Sequence, residues 1–83
     1  EHTEIIVNYG IEIAGVQAAF LAIEQKEGIK ISMRSLPPID VAHVAARWGG
    51  GGHTQAAGCM LDMPLLQAMD TMQEQIQKEM GVY

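Results

Sequence analysis

The residues best suited to chemistry lie in segment 49–58, where four consecutive glycines precede His53. Glycine loses more backbone freedom on ordering than other residues, so such a run suits a sharp turn or a close approach of the backbone to another group. The residues that follow, 53–57, can form a short helical turn. The run would then present free N–H groups at a helix start, with an imidazole beside them as a further donor. The segment therefore predicts a phosphate-binding site.

The best-known phosphate motif is absent from this segment. A Walker-type loop requires a lysine and a Ser or Thr after its last glycine, whereas Gly52 is followed by His53. The spacing of the glycines also differs from that of the dinucleotide-binding fingerprint. A flexible surface loop that ends a helix is the structural alternative.

A second candidate for ligand contact is the polar side of segment 29–35. Apolar and polar residues alternate there, which is typical of a strand with two different faces. One face carries Ile29, Ile31 and Met33, and the other carries Lys30, Ser32 and Arg34. Two cations and a hydroxyl in a row fit either a solvated surface, since exposed cations are common, or the floor of a ligand site.

These two segments together resemble a known family. Residues 50–53 (Gly-Gly-Gly-His) followed by 56–58 (Ala-Ala-Gly) resemble the signature of the DHH-associated C-terminal domain of the aspartate-histidine-histidine (DHH) phosphoesterases. Residues 32–35 (Ser-Met-Arg-Ser), and Asp40 at a helix start, stand at the spacing that this family shows. The resemblance covers residues 14–80 and points to the group of bifunctional oligoribonuclease and phosphoadenosine-phosphate phosphatases and exopolyphosphatase-related proteins.

The resemblance implies a domain that closes over a separate DHH domain and holds the phosphate of the substrate. The residues that it assigns to substrate binding are Arg34, Ser35, Gly50, Gly51, Gly52 and His53. Arginine suits this role because its planar fork binds phosphate in a bidentate manner. Substrates in the family include oligonucleotides, cyclic dinucleotides, phosphoadenosine phosphate and polyphosphate. This chain has Thr54 and Gln55 where many relatives have a basic residue, which favours short oligonucleotides or mononucleotide bisphosphates.

The chain itself offers no predicted catalytic centre. Phosphodiester hydrolysis generally requires a metal pair or an activated nucleophile. His2, His43 and His53 fall in separate predicted elements, and the aspartates show no ligand-like spacing. The resemblance places the manganese ligands in the DHH domain. The chain is therefore predicted to bind and orient a substrate for that domain, and not to catalyse alone.

Two other functions fit the same sequence. Related C-terminal domains of alanyl-tRNA synthetases contact RNA and arrange dimers, so the main alternative is a non-catalytic nucleic-acid-binding or assembly domain. The other is a regulatory nucleotide-binding domain. An oligomer is compatible with each of these functions. The sequence upstream of this chain would discriminate between a DHH core and a synthetase core.

Composition limits the class of protein. A chain of 83 residues with 48% hydrophobic and 18% charged side chains fits one small globular domain. The net charge of −5 argues against non-specific binding of long nucleic acids. Four of the five basic side chains lie in residues 26–53, which favours a local anion site. No apolar run could span a membrane, and the single Cys59 fits an inert buried thiol in the cytoplasm.

The remaining patterns predict an α+β domain, with three or more strands in β-β-α-β-α order and helices packed on the sheet. Strands are predicted over 16–24, buried on both faces, over 29–35 and over 59–61. A turn at 25–28 joins the first two strands. Residues 1–13, with a turn at 8–10, are predicted to be the end of an interdomain linker, and residues 14–83 the substrate-binding domain.

Two helices complete the predicted domain. The first spans 41–48 with Asp40 as its N-cap, and its polar side carries His43 and Arg47 on a solvated face. The second runs from Pro64 to about residue 80. Its apolar stripe predicts a core contact and consists of Leu65, Met69, Met72, Ile76 and Met80.

Overall fold

Residues 4–81, the part of the chain that the computed structural model describes, form five strands and two helices. Along the chain these are β1 (Ile6–Ile13), β2 (Val16–Gln25), β3 (Gly28–Ser35), α1 (Val41–Ala46), β4 (Gly51–His53), β5 (Ala56–Leu61) and α2 (Leu65–Glu79). The strands form one antiparallel sheet in the spatial order β1-β2-β3-β5-β4. The predicted α+β class is confirmed, and β1 and β4 are added to the predicted order.

Strand β1 corrects the prediction for the N-terminal segment. It pairs with β2 along its whole length, from Ile6 opposite Ile23 to Ile13 opposite Val16. The predicted turn at 8–10 is therefore wrong, because the backbone hydrogen bonds to β2 outweigh the local turn preference of Asn-Tyr-Gly. The interpretation of residues 1–13 as the end of an interdomain linker stays a prediction, and residues 1–3 lie outside the described part.

The hydrophobic core lies between one face of the sheet and both helices. The sheet contributes large buried side chains such as Phe20, Ile31, Met33 and Leu61. The helices contribute Val41, Val44 and Ala45 from α1 and Ala68, Met72 and Ile76 from α2. All these residues form a single cluster, with Leu65, Met69 and Met80 packed against it. The core contact predicted for the stripe of α2 is therefore confirmed.

The opposite face of the sheet is not covered by any described element, and we refer to it as the open face. It consists of Ile6, Asn8, Gly10 and Glu12 on β1, Gln17, Ala19, Leu21 and Ile23 on β2, Lys30, Ser32 and Arg34 on β3, Ala56, Gly58 and Met60 on β5, and Gly51 and His53 on β4. The prediction that β2 is buried on both faces is wrong, since its open-face residues keep partial exposure. Apolar composition alone did not reveal that the helices would cover one side only.

Helix α1 begins as predicted and connects to α2 on its polar side. Asp40 accepts a hydrogen bond from the His43 backbone N–H at 3.1 Å, which confirms it as the N-cap. The helix ends at Ala46, two residues earlier than predicted. His43 Nδ1 and Arg47 Nη2 both lie 2.9 Å from Glu79 Oε1 on α2. The polar face is thus exposed but anchored to the second helix.

Candidate functional site

The segment after the glycine run is a β-hairpin, so the predicted helical turn at 53–57 is wrong. His53 pairs with Ala56 across the two-residue turn Thr54-Gln55, and β5 pairs on its other side with β3. Pairing on both sides of β5 fixes many more backbone hydrogen bonds than one isolated helical turn could form. The glycines therefore do not lead into a helix start within the described residues.

Backbone hydrogen bonds hold the tip of this hairpin against the rest of the domain. The Val41 N–H donates to the Thr54 carbonyl at 2.8 Å, and the Ser35 N–H donates to the Gln55 carbonyl at 3.1 Å. The turn is thereby fixed between the end of β3 and the start of α1. Since His53 immediately precedes this turn, its position on the sheet is set by the same contacts.

The sheet register brings Arg34 and His53 into one row. Arg34 lies opposite Ala56 on β5, and Ala56 lies opposite His53 on β4. Directly opposed residues of an antiparallel sheet point to the same face, so the side chains of Arg34 and His53 both project from the open face. Two strand spacings separate their backbones by about 10 Å. A guanidinium and an imidazole can converge over the small Ala56 side chain between them.

The polar groups of this row are available to a ligand. The Arg34 side chain makes one hydrogen bond within the described structure, from Nη1 to the neighbouring Met33 carbonyl at 3.1 Å. Its guanidinium has five N–H donors, so most of them remain open. The His53 side chain is exposed and makes no hydrogen bond or ion pair with any described residue. The arrangement can therefore bind an anion without first breaking an internal contact.

A shallow depression on the open face includes Arg34 and Ala56 of this row, while His53 lies outside its lining. Its volume is about 540 Å³, and its lining includes Lys30, Ser32, Arg34, Gly51, Gly52, Ala56, Gly58 and Met60. The sequence left Lys30 and Ser32 open between a solvated surface and a ligand floor, and the family resemblance assigned neither to substrate binding. The alternation of β3 had nevertheless placed both on the same face as Arg34, and this was the signal that could have identified them.

The sequence matches the DHHA1 domain family over residues 1–81. The chain belongs to the DHHA1 domain family. This membership confirms the resemblance on which the site residues were predicted.

Two curated proteins are similar to this DHHA1 domain. The bifunctional oligoribonuclease and PAP phosphatase NrnA of Thermus thermophilus is 36% identical over 58 residues, which cover 69% of this chain and 18% of that protein. The oligoribonuclease NrnB of Bacillus subtilis is 40% identical over 43 residues, which cover 51% of this chain and 11% of that protein. No solved structure gives a significant match. The matched part of the domain thus spans less than one fifth of either relative's length.

The glycines of the DHHA1 domain have different roles in the structure. The Gly50 N–H donates to the Ala45 carbonyl at 2.9 Å, so this amide closes the turn after α1 and is not available to a ligand. Gly51 lies on the open face, in the row next to that of Arg34 and His53. Gly52 belongs to β4, an edge strand of the described sheet, where alternate backbone groups point away from the neighbouring strand.

Ser35 lies apart from the other predicted site residues. It is buried on the face that the helices cover, opposite Ala18 of β2. Its hydroxyl donates to the Ile39 carbonyl at 2.7 Å. The contact helps to hold the connection between β3 and α1, close to the hairpin tip. Contact of Ser35 with the substrate stays a prediction.

The described residues of the DHHA1 domain contain no group of three or more His, Cys, Asp or Glu side chains that could hold a metal ion. The location of manganese in a DHH domain stays a prediction. None of the helices in residues 4–81 is long and apolar enough to cross a membrane.

Cys59 is buried in the core, as predicted, and its protection can be measured. Burial raises the pKa of the Cys59 thiol above its ordinary value. We expect negligible labelling by a thiol reagent at pH 8 in the native chain and complete labelling in denaturant. A native chain that is labelled as fast as the denatured chain would contradict this expectation.

The same pKa shift predicts a dependence of stability on pH. The folded chain retains the thiol proton to higher pH than the unfolded chain does. This difference stabilises the folded chain at pH values below the thiol pKa of the unfolded chain. The stabilisation is lost as pH rises through the thiol pKa of the folded chain. The free energy of unfolding should therefore decrease above about pH 8.5, and this decrease should be smaller in Cys59→Ala.

Proposed function

We propose that this DHHA1 domain binds the phosphate of a short oligonucleotide or nucleotide on its open face. A DHH domain of the same polypeptide, carrying manganese, would then hydrolyse the phosphate ester in the cytoplasm. The observation that carries the proposal is the shared row of Arg34 and His53, which flank Ala56 on a face that no described element covers. Both relatives that match the chain have oligoribonuclease in their names.

The chemistry of the row fits a phosphate group. The Arg34 guanidinium can donate two parallel hydrogen bonds to adjacent phosphate oxygens, and charge-assisted bonds of this kind are stronger than neutral ones. His53 can donate from a ring nitrogen at the other side of Ala56. The absence of large side chains at Gly51, Ala56 and Gly58 lets a ligand approach the sheet closely.

The distribution of charge fits a small anionic ligand better than a long one. The whole chain carries a net charge of −5, which repels an extended nucleic acid. On β3, however, Lys30 and Arg34 form no ion pair with a carboxylate of the described residues. The positive charges of Lys30 and Arg34 are therefore not neutralised locally, although the domain as a whole is acidic.

Binding by this domain would assist hydrolysis by holding the ester in place. A reacting group that is fixed against a metal centre avoids much of the entropy cost of a bimolecular encounter, which can be worth several kcal/mol of the barrier. The side chains of the open face need only bind and orient the phosphate. They do not have to transfer protons or form a covalent intermediate.

Titration of the chain with a 5′-phosphorylated dinucleotide, followed by two-dimensional NMR, tests this function. We expect the largest amide shifts at Arg34, Gly51, His53 and Ala56. Replacing His53 by Ala should lower the affinity about five-fold to ten-fold, because one donor to a charged oxygen is lost.

His43→Ala is the matched control, because His43 is also exposed but is bound to Glu79 on the opposite side of the domain. It should leave the affinity unchanged. Equal affinities of the wild-type chain and His53→Ala would contradict the proposed role. Tight binding of long RNA, independent of a phosphorylated end, would instead favour the alternative of a nucleic-acid-binding or assembly domain.

A further inference from the structure

We infer that Lys30 and Ser32 form a second phosphate subsite beside that of Arg34 and His53. This subsite depends on the proposed function and narrows it: the preferred ligand is an oligonucleotide with several phosphates, not a mononucleotide. The observation that supports it is that Lys30, Ser32 and Arg34, which alternate along β3, all line one depression of the open face.

The spacing along β3 suits a chain of phosphates. Residues two apart on a strand point to the same face and lie about 7 Å apart, so the backbones of Arg34 and Lys30 are separated by about 14 Å. Side chains that stand upright on the sheet keep this separation, so two successive phosphates match the two cations better than one phosphate does. The sugar-phosphate backbone of two or three nucleotides can follow the strand from one cation to the other, with Ser32 donating between them.

The surface of the sheet beside these three side chains carries almost no side chains. Ser32 lies opposite Gly58 on β5, and Gly58 lies opposite Gly51 on β4. Two neighbouring positions without side chains therefore extend the depression sideways from the middle of β3. Its volume of about 540 Å³ lies within the range of sites that take ligands larger than a single phosphate.

Lys30 and Ser32 are free to bind such a ligand. Neither side chain has a hydrogen bond or ion pair within residues 4–81. The strand neighbours of Lys30 are Ile23 and Met60, which carry no charge. Arg47, in contrast, is held by Glu79 and Gln75 on α2. The Lys30 ammonium can therefore bind an anion without breaking an internal contact.

The open face also predicts how the ligand is recognised. The described aromatic residues lie elsewhere: Tyr9 and Phe20 contact each other on the helix-covered face, and Trp48 packs against the core. Stacking of bases on a described Phe, Tyr or Trp ring, which supports many single-strand sites, is therefore not expected on this face. Recognition should depend on the phosphates, with a strong effect of salt and little effect of base identity.

Affinities for a series of 5′-phosphorylated ligands, from mononucleotide to trinucleotide, test this subsite by calorimetry with the 83-residue chain. The wild-type affinity should rise along the series. Lys30→Ala should weaken trinucleotide binding about five-fold and mononucleotide binding less than two-fold, and should reduce the slope of log affinity against log salt by about 0.7. Lys30→Arg should restore the trinucleotide affinity.

Lys78→Ala is the matched control, since it removes the same charge from an exposed position on α2. The subsite would be overturned if Lys30→Ala and Lys78→Ala bound the trinucleotide equally well. It would also be overturned if Lys30→Ala weakened mononucleotide and trinucleotide binding by the same factor. Loss of mononucleotide binding in Arg34→Ala tests the proposed function separately, because that ligand does not reach Lys30.

Discussion

Replacing Arg34 by Ala should lower the affinity of the domain for a 5′-phosphorylated mononucleotide about 30-fold, the largest binding effect that we expect from one substitution. Its guanidinium lies in the same row as His53 and is the only group there with a permanent charge and a bidentate geometry. Isothermal titration of the wild-type and variant chains measures the effect. In a polypeptide that carries the proposed DHH domain, kcat/KM should fall by a similar factor.

Two further arginine variants make this result specific. Arg34→Lys keeps the charge but loses the planar fork, so its affinity should lie between those of the wild type and Arg34→Ala. Arg47→Ala removes the other arginine, which is bound to Glu79 and Gln75, and should leave the affinity within two-fold of the wild type. Thermal unfolding should confirm that Arg34→Ala is folded, since the side chain bonds only the adjacent Met33 carbonyl. An unchanged affinity in this folded variant would refute the assignment of the site.

Replacing Gly50 by Ala should destabilise the fold by about 3 kcal/mol, a large effect for a single added methyl group. A Cβ at this position would collide with the Gly58 carbonyl oxygen and would lie 2.7 Å from the Cys59 Cβ. Both groups belong to β5, the strand between β3 and β4, so they cannot move aside without disturbing the sheet. Thermal unfolding should show a decrease in Tm of more than about 10 °C.

Gly51→Ala is the control for this effect. A Cβ at Gly51 has no neighbour within 4 Å, so the substitution should change the free energy of unfolding by less than about 0.5 kcal/mol. The new methyl group would project from the open face, where it can weaken ligand binding without affecting the fold. Equal stabilities of Gly50→Ala and Gly51→Ala would show that the close contact with β5 is not what requires glycine at position 50.

Some parts of the site could be predicted from the sequence because they depend on neighbouring residues. The strict alternation of segment 29–35 placed Lys30, Ser32 and Arg34 on one face of a strand, since the side-chain period of a strand is a local property. The N-cap at Asp40 depended likewise on residues within one turn. The glycine run and its histidine also indicated the family, which the match over residues 1–81 confirmed.

The structure of the glycine segment could not be predicted in this way. Residues 53–57 are compatible with a helical turn when they are considered alone. They form a hairpin because β5 pairs with β4 on one side and with β3 on the other. Strand β3 comes from a distant part of the chain. A local pattern indicates the period of an element but not the strand with which it will pair.

The sequence by itself determined which residue types were present for binding phosphate and which of them shared a strand face. Only the tertiary structure decided that Arg34 and His53 stand in one row, that Ser35 points into the core, and that none of the described elements covers one side of the sheet. The physical reason is that strand register and helix placement are set by long-range burial of apolar surface. No short segment of the chain contains that information.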